Sequence, residues 1–161
     1  MSYTLRLEAV PVLSYAMAYN RVPVVDGIEI QCSASGTAES EAELRLRVVD
    51  DEGPLSLAWV RGVTLPESGT VTVRSVDLTL DGGQIAQLQE RRPARYECSL
   101  VAGAGDDEQV LATLTQPVMV LAPHQWRATP PGLGLEMLAA HVMPNAPEVG
   151  QLVAYASARL A

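Results

Sequence analysis

Two histidines, two cysteines, an acidic triplet and a few serines are the residues through which this chain could do chemistry. His124 and His141 are its only histidines. Neither has a partner at i+3 or i+4 or a Cys/His cluster around it, so the spacing a zinc site needs is missing. Ser14, Ser33 and Ser99 stand in no Gly-x-Ser-x-Gly elbow of the kind that exposes a nucleophile. Asp50-Asp51-Glu52 could draw a cation, but it reads more simply as an acidic turn between strands. Gly132-Leu133-Gly134 precedes a helical pattern yet lacks the third glycine, the preceding strand and the lysine of a phosphate loop. The pattern of residue types implies no catalytic, cofactor-binding or metal constellation, and the expectation is that the chain is not an enzyme.

The cysteines raise a structural question instead. Tyr96-Glu97-Cys98 resembles the Tyr-x-Cys of an immunoglobulin strand, and Cys32 and Trp59 upstream complete a Cys…Trp…Cys order. Trp59 follows Cys32 by 27 positions (59 − 32), too far for a tryptophan packed beside an inter-sheet disulfide. The expectation is two small buried thiols in a β-core, with Tyr96 a fold feature and not a site.

The elements that would carry these residues follow from composition and periodicity. The chain has 161 residues, 48% hydrophobic, with two Trp, five Tyr and no Phe. Its core must come from Val, Leu, Ala, Ile and Met, and the length suits one domain or one domain with an appendage. Eleven basic residues, all arginine, face nineteen acidic ones for a net charge of −8. A phosphate backbone repels such a surface, so direct nucleic-acid binding is not expected. The densest basic stretch, Arg91-Arg92-Pro93-Ala94-Arg95, reads as a solvated loop. No apolar run is long enough to span a membrane, and the first residues lack a secretory pattern, so a cytoplasmic location is expected.

Leu5, Leu7 and Ala9 alternate with Arg6 and Glu8, a half-buried strand over 4–10. The apolar run 12–19 is ambiguous and leans towards a second strand. Further strands are expected at Ile28–Ser33, around Leu44, Leu46 and Val48, at 55–60 including Trp59, from Val71 to Leu80, and at Tyr96–Val101. Asp81 suits the N-cap of one helical turn over 85–89, and 103–107 reads as an acidic loop. The stretch 110–121 is a strand pair or one long strand; in the latter case Pro117 demands an edge position or a bulge. About eight strands with turns between them predict a mainly β, immunoglobulin-like antiparallel β-sandwich over 1–122.

Residues 123–161 read as a helical connector. Leu135, Leu138, Ala139 and Val142 share one helical face, and Pro144 ends that helix. Asn145, with Pro147 in the first turn and Glu148 behind it, forms a capping-box variant. Val149, Leu152, Val153, Ala156 and Leu160 make the second apolar stripe.

The run Leu135–Val149, Leu-Glu-Met-Leu-Ala-Ala-His-Val-Met-Pro-Asn-Ala-Pro-Glu-Val, resembles a segment near the N-terminus of very large bacterial helicase–nuclease proteins. There a β-rich domain precedes a superfamily 1 helicase core, often with a Vsr-like endonuclease fold. The matches fall at Glu136, Leu138, Ala139, Ala140, Val142, Pro144, Asn145, Pro147 and Val149, while His141 stands where that family has Phe. Ser14–Val25 and Pro123-His124-Gln125-Trp126 are also similar. The resemblance implies a non-catalytic accessory domain, possessing no cofactor, that contacts its own helicase domain or another subunit and serves nucleic-acid processing or defence against phage or plasmids. Trp126, Glu136, Leu138, His141, Pro144, Asn145 and Pro147 would form the connector contact. The rival expectation is a free-standing adaptor or self-assembling structural protein; a large defined homo-oligomer would favour that rival, and a monomer the accessory domain.

Overall fold

The computed structural model describes residues 2–33, 40–103, 105–125 and 155. The chain divides into two compact units, Met1–Trp126 and Arg127–Ala161. Every described strand belongs to the first unit.

Alternating apolar and polar residues produce the strands. β1 (Ser2–Ala9) turns Leu5 and Leu7 inward, and β2 (Val12–Leu13) follows after a short break. The helix α1 (Tyr15–Tyr19) comes next, then β3 (Val25–Ser33), β4 (Ser40–Val49), β5 (Trp59–Leu65) and β6 (Gly69–Arg74). A second short helix, α2 (Gly82–Ala86), leads to β7 (Arg92–Ala102), a 3-10 turn at Gly105–Asp107 and the long β8 (Gln109–Val120).

The strands form two sheets, ordered β1-β3-β6 and β2-β8-β7-β4-β5. All pairings are antiparallel except that of β2 with β8, where Val12 lies beside Met119 and Leu13 beside Val120. The chain therefore leaves the first sheet at Ala9 and joins the second at Val12. Two inner faces meet as a β-sandwich. Leu5, Leu7, Ile28 and Ile30 contribute from one sheet and Leu44, Leu46, Tyr96 and Leu100 from the other, all buried. Each such aliphatic side chain removed from water stabilises the fold by about 2 kcal/mol.

Several local expectations change. The run 12–19 yields only two strand residues before α1. Ser14 caps that helix by accepting from the Met17 amide at 3.3 Å, and the Asn20 amide closes it on the Ala16 carbonyl. The run has no polar alternation to hold a strand face, and the cap residue Ser14 stands within it, just ahead of the helical residues. The expected strand at 55–60 is displaced to β5. Residues 54–57 instead make isolated bridges, Val49 with Pro54 and Ser56 with Leu80, because the chain turns sharply at Asp50. β6 stops at Arg74, where Ser75 takes a positive φ of 59°, so the strand does not reach Leu80. The expected helical turn begins three residues early, at Gly82, with Asp81 as its N-cap.

The 110–121 region is one strand. Pro117 lies opposite Arg95, and β2 joins the other side of β8 only from Met119 onward. The proline's missing donor therefore faces an open edge. Arg91-Arg92-Pro93-Ala94-Arg95 is not a solvated loop: β7 begins at Arg92, and that side chain has partners on the acidic turn.

Candidate interaction surface

Polar residues in the sandwich interior are spent on holding the chain in place. Asp50 closes the turn after β4: its Oδ1 accepts from the amides of Glu52 and Gly53 at 2.8 and 2.9 Å, and its Oδ2 accepts from Arg92 at 2.9 Å. Its side chain is only 1% exposed. Burial alone would raise the Asp50 carboxyl, but the Arg92 hydrogen bond and the two amides outweigh it and hold the group below the usual aspartate range. Arg92 also meets Glu52 at 2.7 Å. Thus the acidic triplet and the basic stretch, 42 positions apart, form one clamp between the β4 turn and the start of β7. Buried Ser56 accepts from the Val48 amide at 2.8 Å, replacing a ladder bond where β4 ends.

Tyr96, on β7, is fully buried, and its hydroxyl donates to the Val10 carbonyl at 3.1 Å. Val10 is one of the two residues between β1 and β2, so the bond ties the second sheet to the point where the chain changes sheets. Burial raises the phenol's pKa. Cys32 on β3 and Cys98 on β7 are free, buried thiols in different sheets. Burial pushes the Cys98 thiol up to about 12, so at neutral pH it stays protonated and poorly nucleophilic.

The outer face of the five-stranded sheet is different in character. On β4, Arg45 donates to Glu43 at 2.6 Å and forks onto Glu108 at 3.0 and 2.7 Å. Two positions along, Arg47 donates to Glu97 on β7 at 2.9 Å, and Arg95 reaches the other oxygen of Glu97 at 2.9 Å. The Arg45 hydrogen bond lowers the Glu108 carboxyl. For Glu97 the burial that raises it is exceeded by its Arg47 and Arg95 bonds, and its pKa also falls. Between these ion pairs the cross-strand row carries Ser99 and Thr113 opposite one another. Together with Thr115 and Val60 they line a shallow groove of ≈ 540 Å³. Ser99 is therefore part of a polar sheet face, with no base or oxyanion donor assembled beside it among the described residues.

The far side of this sheet ends at β5, which pairs only with β4 among the described strands. Val60 is 50% exposed there, and Gly62 has open space where a side chain would stand. The strand's one charged residue, Arg61, donates to the Arg74 carbonyl of β6 at 3.2 Å.

His124 is exposed in the turn after β8. Trp126, Glu136, Leu138, His141, Pro144, Asn145 and Pro147 lie outside the described residues, as do the two expected closing helices, except that Tyr155 is helical and exposed. Sequence reasoning missed the groove and the open strand. The arginines on β4 alternate visibly with leucines, but apart from Glu43 their carboxylate partners, Glu97 and Glu108, lie 50 and 63 positions away. No helix among the described residues is long and apolar enough to cross a membrane.

No family model matches the chain, and no curated protein matches it. A solved structure described as a beta-galactosidase from Bacteroides fragilis is similar over 72% of this chain, at 17% identity and a TM-score of 0.39. The match spans 15% of that much longer protein.

Proposed function

We propose that the chain is a non-catalytic interaction module, the accessory domain of a helicase–nuclease protein of the kind its closing segment resembles. One observation carries the reading. The buried groups that could do chemistry (Asp50, Ser56, Tyr96 and Cys98) brace the fold or lie inert in it, while the accessible polar surface is a broad sheet face with an open edge. The arginines on that face are each matched to carboxylates, which leaves little positive potential for a phosphate backbone. We further infer an immunoglobulin-like arrangement. It is supported by a first strand that pairs antiparallel to β3 and continues parallel to β8, and by Tyr96 standing two residues before a buried cysteine.

The test is to assay the purified chain for ATP hydrolysis, for DNA cleavage and for a gel shift with duplex DNA at low salt. The expected result is no activity above a buffer control and no shift. Turnover of ATP or DNA that persists through successive purification steps would sink the proposal. The open β5 edge also favours the second reading, a self-assembling protein, and the oligomeric state separates the two.

A further inference from the structure

We draw no further inference here: the strongest candidate, the shallow groove on the outer face of the five-stranded sheet between Val60, Arg45, Ser99 and Thr113, has its arginine already matched to Glu43 and Glu108, and nothing among the described residues shows what covers it.

Discussion

The Tyr96 hydroxyl is the only part of that side chain with a polar task, and it performs it 86 positions from its partner. Tyr96→Phe keeps the buried ring and deprives the Val10 carbonyl of its donor. The expected cost is about 1–2 kcal/mol, seen as a lower midpoint in urea with an unchanged slope. Asp50 gives a second expectation, in which the sign is set by its depressed pKa. A carboxyl held below its ordinary value of 3.8 contributes stability that is complete above that value and is lost as pH falls through the lower folded value. Glu97 and Glu108 act in the same direction. Stability should therefore decline below about pH 4, and Asp50→Asn should flatten that decline while lowering stability at pH 7. Chemical denaturation at a series of pH values checks both, and an acid limb identical in the variant would refute the assignment. Tyr96 as a fold feature and Asp50 as a turn residue were legible in the sequence, but the partners that define their roles were not. Asp50 looked like one of three acids in a turn, and the arginine that fixes it lies on another strand.

Among the elements, legibility followed the strength of the alternation. Leu5 and Leu7, or Leu44, Leu46 and Val48, mark strands because a half-buried sheet face demands a period of two. Where burial on both sides removed the polar half of the signal, as before α1, the periodicity could not choose between helix and strand. β5 was misplaced for a different reason: Arg61 and Gly62 interrupt its apolar pattern because it lies at an edge, and an edge relaxes the requirement for a clean inner row. Helix caps were easier. Asp81 was legible because its chemistry is local, acting on an amide three residues away. The β7–β8 connection depends on Gly103, which has φ +81° and whose added methyl would collide with the Asp107 carbonyl. Gly103→Ala should therefore cost more than the roughly 1 kcal/mol of a simple loss of left-handed freedom. Thermal melting beside a Gly105→Ala control, which has a left-handed φ of +63° and open space, would show the difference. The candidate connector residues from Trp126 to Pro147 belong to a stretch outside the described residues, so their resemblance stands as a reading of sequence.

At the scale of the whole molecule, the two-sheet sandwich was legible because strands, turns and an aliphatic core all pointed the same way. The surface was not, because an open edge or a balanced row of ion pairs is a property of strand order, which single-strand patterns do not encode. Strand order has a further consequence. β1 pairs with β3 in one sheet and β2, a few positions later, with β8 in the other, since Val12 lies beside Met119. A ribosome adds 5–20 residues per second, so roughly 5–20 s pass between the synthesis of those last two partners. During that interval the newborn chain can zip β1 onto β3, yet the second sheet lacks the neighbour that receives β2 and the Tyr96 strut has no fixed carbonyl to grip. The sandwich is thus completed last at one of its earliest-made strands, and the cell must keep that apolar segment from finding the wrong partner until β8 has emerged.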